Sequence, residues 1–293
     1  MIALSIEGDS LRMLSFSGRQ IRSWESIPLS PYHVRGGFVS NPEAVGQVIG
    51  EALAERGLMR ERALFAFPSI GSACSILNVP NKLRRSQFGG VISREARRVM
   101  SFSAEASYLY WQLLPQGSFE ERKAWVLTVP REPLLKLMKA CHLAKLKLRA
   151  IDLTAVALSR VVGQKEAIIV HCEPNRLETV ILVDWVPRFI RSTLLRESEE
   201  FATELEEPTA EVLRQIPYTI SYYNDTHRDA PLDPEVPVYL TGSLALDIEL
   251  AEKVSAVTER PMAELEPPLS CPPDFPLPLY AVNLGLMLKT VRG

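Results

Sequence analysis

The first 28 residues alternate between apolar and polar positions with the period of two that is typical of half-buried strands. Two residue pairs that favour turns, Gly8-Asp9 and Ser17-Gly18, interrupt the alternation. The pattern therefore predicts three short strands joined by tight turns. They cover about residues 2 to 7, 10 to 16 and 20 to 28.

A helix and a buried strand are predicted next. Asn41-Pro42 has the form of an N-cap followed by proline at the first helical position. Apolar residues at four-residue spacing follow, and Gly57 provides the stop. The run RALFAF, residues 62 to 67, is continuously apolar after its first residue and predicts a buried strand.

A second unit is predicted from about Gly71 onward. The segment SILNVPNKL indicates a strand that leads into a helix over residues 86 to 100, whose arginines lie opposite its apolar face. The remaining elements of this unit are strands over 108 to 114 and 124 to 129 and a helix over 132 to 143.

Residues 166 to 192 repeat the pattern of residues 1 to 28, again as three apolar strands with an acidic residue at the first turn. Two copies of one supersecondary unit indicate a duplicated α/β architecture. After the second copy we expect a buried strand in VPVYLTGS, residues 236 to 243, and a helix over 244 to 254. A proline-rich irregular stretch over 261 to 278 and a closing helix over 280 to 288 follow.

Composition and charge narrow the functional classes. The chain has 293 residues, 46% hydrophobic and 23% charged, with a net charge of -2. This near-neutral balance argues against nucleic acid as a partner, because proteins that neutralise phosphates normally carry a basic excess. No run of about 20 apolar residues occurs, so we expect a cytoplasmic protein with no membrane span of its own.

The cysteine and histidine pattern predicts no metal site. Four widely spaced cysteines without a CxxC pair are typical of a reducing cytosol. His171 and Cys172 are adjacent in a predicted strand, where neighbouring side chains point to opposite faces, so they cannot share one ion. We expect His171 to be a half-buried strand residue.

Several segments together resemble the actin-like ATPase superfamily and, within it, the PilM family of type IV pilus assembly proteins. They match that family in order and span nearly the whole chain: the opening strand-turn-strand, LNVPNKLRRSQFGGVISREARR, LRAIDLTAVALSR, VPRFIRS and YAVNLGLML. The resemblance implies a duplicated actin-like, ribonuclease H-like α/β fold with a small inserted α/β subdomain. The implied first subdomain comprises residues 1–70, 148–165 and 279–293, the insert 71–147, and the second half 166–278.

The resemblance also implies where a nucleotide site would lie. The superfamily binds phosphate and its cation with one Asp-x-Gly turn in each half, and the corresponding positions here are Ser5-Ile6-Glu7 and His171-Cys172-Glu173. Both aspartates are absent and a glutamate replaces each glycine. The adenosine-contacting Gly-Gly is reduced to Thr241-Gly242-Ser243.

Two alternatives concern these turns. Glu7 and Glu173 have an ordinary interpretation as solvated turn residues, and a register shift through Gly8-Asp9 would instead give Asp9 the metal role.

A carboxylate about 4 Å from a phosphate costs roughly 4 kcal/mol at an effective dielectric near 20, which is as large as the free energy of millimolar binding. We therefore expect a pseudo-ATPase with no bound cofactor; ATP and magnesium belong only to the alternative of an ATP-binding switch protein.

The family resemblance implies a partner as well. In that family a groove between the first subdomain and the insert takes the N-terminal cytoplasmic tail of the membrane protein PilN. The basic residues Lys82, Arg84 and Arg85 lie on the predicted insert and are candidates for that contact, although such a run is usually only the polar face before a helix. We expect a scaffold at the inner face of the cell membrane. One alternative is a component of a type II secretion platform. Another is a relative of sugar or acetate kinases, but no catalytic base or phosphate-binding glycine pair supports it.

Overall fold

Two five-stranded sheets with the same internal arrangement organise the molecule, which we describe from a computed structural model over residues 1–117, 120–195 and 208–291. The expected divisions also contain residues 118–119, 196–207 and 292–293, which lie outside the described residues. The first elements are β1 (Ile2–Glu7), β2 (Ser10–Ser17), β3 (Gln20–Pro28), β4 (Val34–Arg35), β5 (Phe38–Val39), α1 (Pro42–Glu55) and β6 (Arg62–Phe67).

The remaining elements follow in chain order. The middle of the chain forms β7 (Ala73–Pro80), α2 (Arg85–Val99), β8 (Ser107–Gly117), β9 (Glu121–Pro130), α3 (Arg131–Leu143), β10 (Lys147–Leu153) and α4 (Thr154–Val162). The rest forms β11 (Ala167–Glu173), β12 (Arg176–Val183), β13 (Val186–Leu194), α5 (Pro208–Thr226), β14 (Val238–Thr241), a 3-10 turn (Leu244–Leu246), α6 (Ile248–Thr258), β15 (Met262–Ala263) and α7 (Ala281–Val291).

The predicted duplication is confirmed by the topology. The first sheet has the order β10-β6-β1-β2-β3, and the second has β15-β14-β11-β12-β13. In both sheets the three consecutive strands pair antiparallel, while the neighbour on the other side of the first strand runs parallel to it. The two repeats form separate, matching units, so Glu7 and Glu173 occupy the same position in each.

Most predicted helices and strands are present, with small differences at their ends. The α1 helix is capped as expected, because the Asn41 side chain accepts a hydrogen bond from the Ala44 N–H at 3.1 Å. The helix expected over 244 to 254 begins later, at Ile248, since Asp247 caps it by accepting from the Glu249 N–H. The proline-rich stretch is irregular except for β15.

The three-stranded sheet β7-β9-β8 and α2 form a unit with its own core. Phe88, Ile92 and Ala96 of α2 are buried in that core. By contrast α3, although inside the expected insert 71–147, packs on α1, where a Cβ on Gly46 would lie 2.9 Å from the Ala140 carbonyl oxygen. α3 thus shares the core of the first sheet. The expected division of the chain into subdomains stays a prediction.

Helices α4 and α7 pack together between the two halves. They cross so closely that a Cβ on Gly285 would lie 2.0 Å from the carbonyl oxygen of Ala157. One hydrophobic core extends from β1 and α7 to Ile169 and Val180 of the second sheet. This shared core brings the turns that follow β1 and β11 face to face. Among the described residues, no helix combines the length and the hydropathy of a membrane span.

Candidate functional site

The ends of β1 and β11 place Glu7 and Glu173 in a cleft between the halves. Both residues are only 1% exposed, so the interpretation of these glutamates as solvated turn residues is wrong. A buried carboxylate is costly unless it is paired and hydrogen-bonded. The surrounding side chains provide that pairing, and the arginine that binds each glutamate comes from the opposite half of the molecule.

Arg12 of the first half binds Glu173 of the second. The two guanidinium Nη atoms donate to the two carboxylate oxygens at 2.7 and 2.8 Å, in the bidentate geometry that gives the strongest such pairs. Arg12 also donates to the carbonyl oxygen of Leu279 at 3.0 Å. Burial by itself lowers the pKa of Arg12, but the charge and hydrogen bond of Glu173 raise it overall, so the guanidinium stays charged.

Arg176 of the second half binds Glu7 of the first in the reciprocal pair. Its Nη2 donates to Glu7 Oε2, and both side chains are 1% exposed. The guanidinium lies against the Gly36-Gly37 turn, where a Cβ on Gly37 would be 2.1 Å from Arg176 Nη1. A side chain at Gly37 would therefore collide with the ion pair.

His171 lies between the two glutamates. It is completely buried, not half-buried as expected, and Cys172 points into the separate core on the other face of the sheet. His171 Nε2 is 3.0 Å from Glu7 Oε2 and 3.7 Å from Glu173 Oε1. Because an ionised carboxylate only accepts hydrogen bonds, Nε2 carries the proton. The other ring nitrogen, Nδ1, is 2.9 Å from Thr241 Oγ1.

In the part of the chain that the structure describes, Glu7, His171 and Glu173 form a group that could hold a metal ion, since one ligand atom of each lies within 4.8 Å of the others. Both carboxylates are already bound by guanidinium groups, however, and the third donor is a nitrogen. Magnesium prefers oxygen ligands and retains several waters. This donor set therefore does not fit a magnesium nucleotide.

The segment Thr241-Gly242-Ser243 closes the same cluster. Ser243 donates to Glu173 twice, from its backbone N–H at 3.1 Å and from its hydroxyl at 2.8 Å. Gly242 has a φ of +92°, and a Cβ there would lie 2.3 Å from the Cys172 carbonyl oxygen. Only glycine lets this turn pass so close to β11.

The remaining predicted cleft residues take structural positions. Ser5 is buried and its hydroxyl donates to Asn283 Oδ1 of α7 at 3.2 Å. Gly8, with a φ of +56°, forms the turn next to Glu173. Asp9 is exposed and is not among the three grouped donors, so the register shift that would give it a metal role finds no support here.

Two carboxyl groups in the cleft have shifted pKa values in opposite directions. Burial by itself raises the pKa of Glu7, but Arg176 and His171 outweigh burial and lower it to about 2. For Glu178, burial dominates and raises the pKa despite Arg176. Glu178 is also bound by the Ser69 hydroxyl at 2.5 Å, which adds a further polar link between the halves.

Arg12 and Arg176 were not predicted from the sequence. Each was visible as a lone basic residue at the beginning of an apolar strand, and strand pairing places Arg12 opposite Ser5 and Arg176 opposite Glu173. Their presence corrects one expectation. The glutamates do not present two uncompensated negative charges to a phosphate, because each is neutralised by an arginine of the other half.

The basic residues Lys82, Arg84 and Arg85 are exposed at the junction of β7 and α2. They follow the Pro80 end of β7, whereas the opposite end is held to β13 through Cys74 Sγ and the carbonyl oxygen of Pro187. The structure thus places them at the outer end of the three-stranded unit, away from the glutamate cluster.

Similar proteins are found among solved structures but not by comparison of sequences. No family model matches the chain, and no curated protein matches it. The duplicated sheets around a central cleft are those of the actin-like ATPase fold, as expected.

Among solved structures, the fold resembles that of a chain of the PilM-PilN type IV pilus biogenesis complex. The TM-score is 0.77 at 19% identity, over 99% of this chain and 98% of that one. The cytoplasmic domain of EpsL, an inner-membrane component of the type II secretion system of Vibrio cholerae, gives 0.53 at 8% identity, over 100% and 94%. The ethanolamine utilization protein EutJ of Carboxydothermus hydrogenoformans gives 0.52 at 13% identity, over 98% and 88%. The predicted resemblance to PilM is thereby confirmed in the fold.

Proposed function

We propose that this protein is an actin-like pseudo-ATPase that acts as a cytoplasmic scaffold of a type IV pilus assembly platform. The observation that carries the proposal is the reciprocal pairing of Arg12 with Glu173 and of Arg176 with Glu7 across the cleft. Side chains of the two halves bind each other at the turns where relatives of this fold hold phosphates. The protein itself thus supplies the link between the halves that a nucleotide would otherwise provide.

The proposed partner is the N-terminal cytoplasmic tail of a PilN-like membrane protein. Support comes from the fold shared with a chain of the PilM-PilN complex. The tail would bind as an extended peptide in the groove between the first subdomain and the three-stranded unit, with main-chain hydrogen bonds for affinity and side-chain pockets for register. The partner would keep this protein at the inner face of the membrane. The likeness to the EpsL domain favours a type II secretion platform as the second candidate.

Calorimetry with synthetic peptides tests the docking. The peptides are the first ten to twenty residues of single-span membrane proteins encoded beside this gene, each with a scrambled control of the same composition. We expect one native peptide to bind and its scrambled version not to bind. Charge reversal of Lys82, Arg84 and Arg85 measures whether this basic run contributes to peptide binding. If no neighbouring tail binds, the scaffold proposal fails.

Titration with a fluorescent ATP analogue tests the pseudo-ATPase part. We expect no tight binding by the wild type, with or without magnesium, and magnesium-dependent affinity in the low micromolar range would refute this part. Replacing Glu7 and Glu173 by glycine frees two buried guanidinium groups, so that variant should gain affinity for ATP and for inorganic phosphate. Replacing them by glutamine is the matched control, because the cleft stays filled, and it should gain much less.

A further inference from the structure

The exposed face of α2 carries a concentration of positive charge that the cleft does not explain. Residues 82–98 contain six basic residues and one acidic residue, a net charge of +5, whereas the whole chain has -2 and the other residues therefore carry -7. The basic residues are Lys82, Arg84, Arg85, Arg94, Arg97 and Arg98, and all six are exposed.

The packing of α2 holds this charge on one side. Phe88, Ile92 and Ala96 face the three-stranded sheet and are at most 4% exposed, which turns Arg94 and Arg97 outward. Arg98 is paired with Glu95 at 2.9 Å but remains 74% exposed in its side chain. For Arg94 and Arg97, no ion pair is found within the described part of the chain. We call the outward side of α2 with these three arginines the arginine face.

Two exposed apolar side chains lie near α2 but not on the arginine face. Val99 at the end of α2 is 54% exposed, and Trp111 of β8 is 39% exposed with its ring 6.5 Å from that of Phe88. Trp111 contacts the sheet-facing Phe88, and Val99 lies seven residues after the sheet-facing Ile92, so the arginine face itself is charged and not apolar. Clustered exposed arginines are attracted to the anionic headgroups of a bilayer. Arg94, Arg97 and Arg98 all lie on the outward side of one helix, so a flat surface can contact these three residues together.

We propose that the arginine face binds the anionic phospholipid headgroups of a membrane. This contact gives the protein a direct attachment to the membrane in addition to the proposed tail binding, and it orients the three-stranded unit toward the bilayer. Each arginine near an anionic surface contributes about fivefold in binding, equivalent to about 1 kcal/mol. Loss of three arginines should therefore weaken binding by about 100-fold or more.

Vesicle co-sedimentation with the full chain alone tests this proposal. The vesicles contain either neutral phosphatidylcholine or the same lipid with about a third of phosphatidylglycerol. We expect binding only to the anionic vesicles, and strong weakening at about 0.5 M salt because exposed charges are then screened. Binding to neutral vesicles of equal strength would overturn the proposal.

Matched variants separate the arginine face from overall charge. Reversal of Arg94, Arg97 and Arg98 to glutamate should abolish sedimentation, and replacement of the same three by lysine should preserve it. The control reverses three exposed arginines elsewhere, namely Arg19, Arg60 and Arg228, with the same change in net charge. The proposal is wrong if this control loses as much vesicle binding as the reversal of Arg94, Arg97 and Arg98. It is also wrong if the wild type binds an oligonucleotide of equal charge more tightly than the vesicles. Circular dichroism verifies that every variant is folded.

Discussion

Removing the Arg176 guanidinium should strongly destabilise the fold, because it would leave the Glu7 carboxylate buried beside a histidine without its main counter-charge. Both partners are 1% exposed, so water does not replace the lost interaction. Breaking a buried ion pair from one side typically costs about 3 to 5 kcal/mol. We expect Arg176→Met, which keeps most of the side-chain length, to lower the free energy of unfolding at pH 7 by about that amount.

The double variant shows whether the cost comes from the unpaired charge. Glu7→Gln removes the carboxylate charge while its side-chain oxygen can still accept from His171 Nε2, which lies 3.0 Å from Glu7 Oε2. In Glu7→Gln/Arg176→Met no buried charge is left unpaired at this position, so most of the stability should return. The assay is urea denaturation of the wild type, both single variants and the double variant.

The dependence of unfolding stability on acid pH, measured on the same proteins, is an independent test of the contribution of the Glu7 ion pair. An unfolded glutamate takes up its proton near pH 4.5, whereas folded Glu7 does so only near pH 2, so the unfolded state binds more protons between these values. Stability from this group is therefore complete above about pH 4.5 and is lost as the pH falls toward 2, by roughly 3 kcal/mol. Glu178 has a raised pKa, which gives the opposite sign, and it does not cancel in the comparison, because Arg176 also lowers the Glu178 pKa.

Arg176→Met should lose much of this acid dependence, because the largest influence that lowers the Glu7 pKa is gone. Two results would refute the reasoning. One is a free energy of unfolding of Arg176→Met within about 1 kcal/mol of the wild-type value at pH 7. The other is a double variant that is less stable than Arg176→Met. Either would mean that the pair does not link the two halves.

Further predictions concern packing and thiol reactivity. Gly285→Ala should destabilise the fold by about 1 to 3 kcal/mol in thermal or urea unfolding, because its Cβ would lie 2.0 Å from the Ala157 carbonyl oxygen. The matched control Gly89→Ala in α2 has nothing within 4 Å and should gain roughly 0.5 to 1 kcal/mol; a loss at both sites would contradict the packing argument. Burial raises the pKa of Cys141 to about 12 and also raises that of Cys172, so both should resist a thiol reagent until the protein is unfolded, and rapid labelling of either in the native protein would disagree.

The sequence by itself determined the elements and their repetition. Local patterns are sufficient for this, because a strand needs only an alternating or continuous apolar run and α1 needs only its cap, proline and four-residue spacing. The repeat of residues 1 to 28 at 166 to 192 then established two equivalent turns. It also placed Glu7 and Glu173 at corresponding positions, which the topology confirms.

The partners of those glutamates were decided only by tertiary structure. Arg12 lies 161 residues from Glu173, and Arg176 lies 169 residues from Glu7, so no local spacing connects them. The burial of His171 between both carboxylates likewise depends on how the two sheets face each other across α4 and α7. Sequence patterns report which face of a strand is buried, but the side chain that meets it from another sheet follows from packing. For that reason the sequence indicated two solvated or repelling charges, and the fold placed two neutralised ion pairs there.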